Sequence, residues 1–275
     1  MPLPLRPIAF VLAATNHGSM IVNRNDYRMI DARSGYGVGY QILTKSAFDE
    51  SEVNLALALL DSRREHFGNG VMAIDGGANI GVHTIEWARH MYGWGEVMSF
   101  EAQETVFYAL AGNIAINNCL NAHARMAALG KATGELSIPS ADPFTPASFG
   151  SLELKQRAAT EYIGQDISYK PEAGTVVPMV TIDSLHLKRL DFFKLDVEGM
   201  ELEVLHGALG TLRKHLPILL VEVIKSDKRG LEKLVTAMGY KVFQMGMNML
   251  AIHPDDPTLA QVTVEDNNLK FRAVR

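Results

Sequence analysis

The sequence predicts an α/β fold, a doubly wound and mostly parallel sheet that ends in an antiparallel hairpin. Three observations carry that expectation. From about residue 50, short apolar runs alternate with stretches of helical periodicity, the pattern of strands joined by crossover helices. "VMAIDGGANIGVHTIEWAR" (71–89) runs an apolar strand into an acid, turns through glycines and re-emerges as an amphipathic helix. Near the end, "YKVFQM" and "NMLAIH" flank Gly246-Met247, a hairpin signature.

The elements follow in order. "VMAI" (71–74) is the first strand, and Ile80–Met91 the helix after it. "EVMSF" (96–100) is the second strand, followed by a helix through "ETVFYALAGNIAINN". "ARMAAL" (124–129) is the third. "DFFKLDV" (191–197) is the fourth and feeds one helix with Leu202, Leu205, Leu209 and Leu212 on a single stripe. "PILLVEVI" (217–224) is the fifth, and "KSDKRGLEKLVTAMG" the helix that leads to the hairpin. Five parallel strands and the hairpin make a seven-stranded sheet over residues 51–253.

Two segments break this rhythm. Residues 1–50 read as a β-rich extension, in which Ile8–Ala14 turns at "TNHG" into a second strand, "SMIVN". Within it, Tyr36 and Tyr40 of "GYGVGY" form either a glycine-hinged lid or an ordinary surface hairpin. Residues 139–180 are a long polar insertion, a length that is uncommon unless functional or disordered. Its "TPASFGSLEL" is placed to cover an acceptor pocket. Residues 254–275 read as a polar tail.

Composition narrows the function. The 275 residues carry a net charge of −5 with no basic run, which argues against a nucleic-acid partner. The single cysteine, Cys119, excludes an internal disulfide and a Cys-rich zinc site. The first twenty residues have a faint secretory look, but prolines interrupt the approach to the apolar run and a strand accounts for it better. No stretch reaches the ~20 apolar residues of a membrane span. The expectation is a cytoplasmic protein without a membrane partner.

The loop after the first strand narrows the ligand. Read from Gly76 as a dinucleotide fingerprint, it has Ala78 where the middle glycine belongs. A pyrophosphate there would also face the Asp75 carboxylate, a like-charge contact. Read from Asp75, the loop is D-x-G-x-N-x-G, with Gly77, Asn79 and Gly81 at alternate positions. In that form it resembles the acid-x-Gly-x-Gly-x-Gly loop of class I S-adenosylmethionine methyltransferases, with Asn79 in the middle glycine's place. S-adenosylmethionine carries an ammonium and a sulfonium and no phosphate, so an acid suits it. Gly77 and Gly81 let the backbone approach the ligand, and the helix N-terminus can receive its carboxylate. Glu101, ending the second strand, stands where an acid grips a ribose diol. NAD offers the same diol, so an NAD-linked oxidoreductase is the alternative enzyme and a silent ligand-binding domain the alternative from another class.

A second constellation is "KLDVEG" (194–199). It delivers Asp196 and Glu198 to the crevice at the strand's C-terminal end, with Lys194 on the same strand face as Asp196. A buried lysine needs a partner. Lys194 therefore either pairs with Asp196 or Glu222 or takes part in the chemistry directly. His83, in the first turn of its helix, either touches the ligand carboxylate or lies on the surface. Asn113 and Asn117 share a helix face and either contact the adenine side or cap the helix.

"AIDGGANIGVHT", "SFEAQETVFYALAGNIAINN" and "FFKLDVEGMELEVLHGA", in this order, resemble the FkbM-type methyltransferases over roughly residues 50–253. The resemblance implies the class I methyltransferase (Rossmann-like) fold, S-adenosylmethionine as donor, and O-methylation of a hydroxyl on a sugar or secondary metabolite. It places Asp75, Gly76, Gly77, Ala78, Asn79, Gly81 and His83 at the methionine end, Glu101 at the ribose, and Asp196 and Glu198 beside the reacting methyl. Ala102-Gln103 departs from the family's Pro-Asn. No acid ends the third strand to hold the adenine amine, so the backbone around Ala128 would serve. Asp196 is the leading base or orienting group, with Glu198, Glu222 and Lys194 beside it. Three carboxylates can also hold a divalent cation, as in catechol-type O-methyltransferases, but the resemblance does not demand a metal and none is assigned.

Overall fold

A computed structural model describes residues 7–265 and 268–272. The chain opens with the expected hairpin, β1 (Phe10–Thr15) antiparallel to β2 (Gly18–Asn23). Two short strands, β3 (Arg28–Met29) and β4 (Gly35–Tyr36), pair with each other. Helices α1 (Val38–Lys45) and α2 (Glu50–Phe67) follow. The "GYGVGY" segment is thus not a hairpin in its second half but the start of a helix. Buried Asp26 explains the change: its Oδ2 accepts the Gly39 N–H at 2.8 Å. Gly37, at φ +132°, passes so close that a Cβ there would lie 2.6 Å from the Asp26 carbonyl oxygen. That long-range contact leaves no periodic signal in the sequence.

The core elements then run β5 (Val71–Gly76), α3 (Val82–His90), β6 (Gly95–Glu101), α4 (Glu104–Ile116) and β7 (Ala122–Met126). Three strands lie outside the central sheet: β8 (Ala128–Leu129), β9 (Gly134–Ile138) and β10 (Thr175–Val180). The chain returns through β11 (Phe192–Leu195), α5 (Glu201–His206), α6 (Leu209–His215), β12 (Ile218–Glu222) and α7 (Lys228–Ala237). It closes with β13 (Lys241–Met245), β14 (Asn248–Ile252), β15 (Val262–Glu265) and β16 (Asn268–Phe271).

Seven strands form one sheet in the order β13-β14-β12-β11-β5-β6-β7, parallel throughout except β14. This is the expected doubly wound α/β sheet. From β5 the chain winds outward to β6 and β7, then returns to β11 on the other side. The loops after β5 and β11 therefore diverge and open a crevice at the strands' C-terminal ends. Successive residues of β11 serve opposite faces: Phe192 packs edge-on against Trp87, ring centroids 5.2 Å apart, and Phe193 joins Leu205, Leu212 and Leu219 beneath. All four residues of β11 are buried, so Lys194 sits in a strand with no exposed face.

Three expectations change in detail. "ARMAAL" is not one strand: β7 stays in the main sheet, while β8 bends away to pair with β10 in a three-stranded sheet that the insertion builds with β9. The leucine stripe lies on two helices, broken where Gly207 packs so tightly that a Cβ would meet the Gly130 carbonyl oxygen at 2.1 Å. The segment read as a polar tail holds β15 and β16 and buries Asp256 and Thr258; Thr258 meets the Ser62 hydroxyl at 2.8 Å. Among the described residues, no helix is long and apolar enough to cross a membrane.

Candidate active site

The crevice between the β5 and β11 loops opens into a cavity of about 430 Å³. Its floor is built by the loop 77–82. Gly77 and Ala78 donate their N–H groups to the Phe100 carbonyl at 3.0 and 2.8 Å, and Asp196 donates its own to the Gly76 carbonyl at 2.9 Å. Asn79 adopts φ +50°, a left-handed conformation that asparagine tolerates better than most residues. Asparagine can therefore stand where a glycine is usual.

Glu101 is placed as the sequence expects, buried in the wall. Its Oε2 accepts the Asn79 N–H at 3.0 Å and its Oε1 the Gln103 N–H at 2.8 Å. Burial pushes this carboxyl up to about 7 against the pull of those amides. Gln103, in the position where Asn was expected, also donates from Nε2 to the Phe149 carbonyl at 2.9 Å, which pins the insertion over this end of the cavity. The insertion supplies Ser148, Gly150, Ser151, Leu152 and Leu154 to the wall, as the sequence expects of "TPASFGSLEL".

Asp75 is placed differently from the expectation. It is buried behind the wall, with Oδ2 accepting the Thr84 hydroxyl at 2.6 Å and Oδ1 without a hydrogen-bond partner among the described residues. Gly76 and Gly81 also lie outside the lining. Gly77 lines the cavity, and Gly77 and Gly81 also serve close packing between loops. A Cβ at Gly77 would overlap the Asp196 carbonyl oxygen at 1.7 Å, and one at Gly81 would meet Leu110 at 2.6 Å. Ala78, Asn79, His83 and Ala128 do line the cavity. His83 is buried rather than on the surface; its Nε2 lies 3.2 Å from Glu52 Oε1.

Opposite Glu101 stand the strand-end acids. Lys194 Nζ pairs with Asp196 Oδ2 at 3.1 Å, the first of the partners the sequence offered it. Burial alone would lower this ammonium, but Asp196, Glu52 and Asp75 outweigh it and hold it above its ordinary value. Glu198, at φ +55°, pairs through Oε2 with Lys225 Nζ at 2.6 Å, and burial with the nearby Asp196 pushes it up to about 8. Glu222, closed in by burial, Asp196 and Glu198, is pushed up to about 9. Asp196, Glu198 and Glu222 each bring a carboxylate oxygen within 4.8 Å of the others, a set that divalent cations accept. Lys194 and Lys225 already supply positive charge to two of the three.

Four participants escaped the sequence reading. Glu52, from α2, is held down to about 2: burial would raise it, and the His83 hydrogen bond and Lys194 charge prevail. Glu201 accepts the Val197 N–H at 2.8 Å and the Gly199 N–H at 3.1 Å, which fixes the turn carrying Glu198. Glu161 joins Lys225 at 2.9 Å to the Tyr36 hydroxyl and so ties insertion to extension. Lys225 itself donates to the Ser151 carbonyl at 2.9 Å. Tyr36 lines the cavity; Tyr40 does not. Asn113 and Asn117 do not line the cavity, whereas Asn117 caps the end of α4, the second of the roles the sequence offered, its amide donating to the Asn113 carbonyl at 2.8 Å. They face β2, where Asn113 donates to the Ile21 carbonyl at 3.2 Å and Asn117 to the Ser19 carbonyl at 2.8 Å.

A seven-stranded sheet of this order, with a ligand-sized cavity and carboxylates at its strand ends, is the framework of a methyltransferase. The chain belongs to the FkbM methyltransferase family, whose domain model (Methyltransferase FkbM domain) matches residues 75–242. Methyltransferase sdnD of Sordaria araneosa is 26% identical over 156 residues, 49% of this chain and 59% of that protein, so the match spans little more than half of the relative. Among solved structures, an FkbM methyltransferase from Methylobacillus flagellatus KT is similar with a TM-score of 0.48 and 16% identity, over 78% of this chain and 58% of that one. The tRNA (uracil-54, C5)-methyltransferase of Pyrococcus abyssi, in complex with S-adenosyl-L-homocysteine, gives a TM-score of 0.41 and 12% identity over 89% of this chain and 44% of that one.

Proposed function

We propose that the protein is an S-adenosylmethionine-dependent O-methyltransferase acting on a hydroxyl of a sugar or secondary-metabolite acceptor. One observation carries the reading: a buried Glu101 fixed by two backbone N–H groups on one wall, facing a lysine-braced Asp196 on the other. The chain's own groups fit the donor. Glu101 suits a ribose diol, the loop 77–79 and Ala128 offer backbone groups, and the unpartnered Asp75 Oδ1 leaves negative charge beneath the loop. When bound, the donor supplies a methyl carbon made electrophilic by its sulfonium.

The protein's task is to align the acceptor oxygen with that carbon, exclude water and remove the hydroxyl proton. Asp196, held in one orientation by Lys194 Nζ, accepts the proton at its carboxylate. Glu222, raised by burial and by the neighbouring Asp196 and Glu198, holds a proton near neutral pH and can donate a hydrogen bond to a further oxygen of a polyhydroxylated acceptor, while Glu198 stays paired with Lys225. The insertion and Tyr36 line the cavity and offer apolar and hydroxyl surface to the acceptor.

The test uses S-adenosylmethionine with a labelled methyl group, incubated with the protein and an extract of its source cells, followed by identification of the labelled product. Asp196→Asn is expected to retain donor binding while label transfer falls by about 10²–10⁴-fold. Unchanged transfer would refute the role given to Asp196, and label on carbon or nitrogen would refute O-methylation.

A further inference from the structure

The acid expected to receive the donor's ammonium, Asp75, is walled off from the cavity. The cavity must then supply that carboxylate from elsewhere. Its other lining acids are already engaged: Asp196 by Lys194, Glu198 and Glu161 by Lys225, and Glu101 by backbone amides. Glu222 lies against Asp196 and Glu198 and is raised above neutrality by them.

Asp49 is different. It occupies the N-cap position of α2, where an aspartate normally turns its carboxylate back onto the helix amides. Here it makes no such bond, and it holds φ +42°, a conformation that costs a non-glycine residue of order 1–3 kcal/mol. Asp49 instead lines the cavity with Phe48 and His83; the charges of His83 and Lys194 are felt there, but neither makes a direct ion pair with it among the described residues. Asp49 thus interacts electrostatically with His83, in the first turn of α3, the residue that the family resemblance assigns to the methionine end of the donor.

We propose that Asp49 is the residue that binds the α-ammonium of S-adenosylmethionine, and that it selects donors bearing an intact amino-acid end. The inference rests on the donor reading above. A carboxylate without a direct ion-pair partner at the cavity edge gives a charge-assisted hydrogen bond to an ammonium and none to a nucleoside that lacks it. The strained backbone is retained because a relaxed N-cap would turn the carboxylate into the helix.

The experiment compares S-adenosylhomocysteine, which has the ammonium, with 5′-methylthioadenosine, which has the same nucleoside and thioether but no amino-acid end. Calorimetric titration of the unsubstituted protein and of Asp49→Asn is expected to show about a tenfold or greater loss for S-adenosylhomocysteine and a change within about twofold for 5′-methylthioadenosine. Asp49→Gly supplies the structural control, because glycine accepts positive φ without strain. It should keep or raise the Tm and still lose S-adenosylhomocysteine selectively. Equal loss of both ligands, or loss of neither, would overturn the role of Asp49 and leave the donor reading standing. Failure of the unsubstituted protein to bind either nucleoside would overturn the donor reading, and the inference with it.

Discussion

At the scale of single residues, the site is legible where a strand carries the side chain and opaque where a loop or distant helix does. Glu101, Asp196 and Glu222 could be placed from sequence because a parallel strand delivers its last residues to the crevice whatever surrounds it. Asp49 and Glu161 reach the same cavity from the start of α2 and the insertion, and Glu52 acts on it through His83 and Lys194, by packing that has no periodic signature. Burial pushes both Glu52 and Glu222 upward, and their neighbours decide the outcome. Glu52, beside His83 and Lys194, is held low, whereas Glu222, beside two like charges, is raised. For a raised carboxyl, the stability it contributes is present below its ordinary value of 4.5 and lost as pH climbs through about 9. Glu222→Gln removes the charge without removing the volume. It should raise stability at pH 9 by about 1 kcal/mol or more, or about 2–4 °C in Tm. That gain should fade as the pH falls toward 4.5. Thermal melts of both proteins from pH 5 to 9 check this; a gain that does not vary with pH would mean that folding does not raise the Glu222 carboxyl.

At the scale of elements, the strand–loop–helix units were readable and their mutual contacts were not. The periodicity of residues 104–118 puts Asn113 and Asn117 on one helix face, as the structure has them. Only the structure shows that β2 covers that face, with the asparagine amides bonding its backbone. The glycines of the β5 loop teach the same lesson. Their spacing suggested room for a ligand, but the room at Gly77 is filled by the Asp196 carbonyl of the neighbouring loop. Gly77 at φ +79° is therefore the point at which the β5 and β11 ends are held together. Gly77→Ala must both strain the backbone and displace the Asp196 peptide. A destabilisation of about 3 kcal/mol or more is expected, with donor affinity lost in whatever fraction folds. Chemical denaturation measures the first and calorimetry the second. A loss under about 1 kcal/mol would show that the β11 loop moves freely and that Gly77 does not hold the two strand ends together.

Across the whole molecule, the sheet separates stability from chemistry. The C-terminal strand ends carry like charges brought close together, an arrangement that weakens the fold and serves a ligand. The N-terminal ends carry the opposite kind of cluster. Buried Arg63 reaches Asp191 at 3.0 Å and Asp256 at 2.6 Å, Arg189 closes on Asp191 from outside at 2.6 Å, and the Met72 N–H completes Asp191 at 2.9 Å. This cluster joins α2, the start of β11 and the segment after β14, which explains why residues read as a polar tail are anchored. Charges in the last twenty residues look solvated in sequence, since the arginine that receives them lies far away on α2. The separation has a testable consequence. Arg63→Ala leaves Asp256 buried without its cation and should cost about 3–5 kcal/mol of stability. Arg63→Lys should recover only part of it, because an ammonium lacks the fork that meets both carboxylates. At a temperature where both variants remain folded, their affinity for S-adenosylhomocysteine should stay within about twofold of the unsubstituted protein. A parallel fall in affinity and stability would instead mean that the two ends of the sheet are energetically one unit, and that the crevice is shaped by the network beneath it.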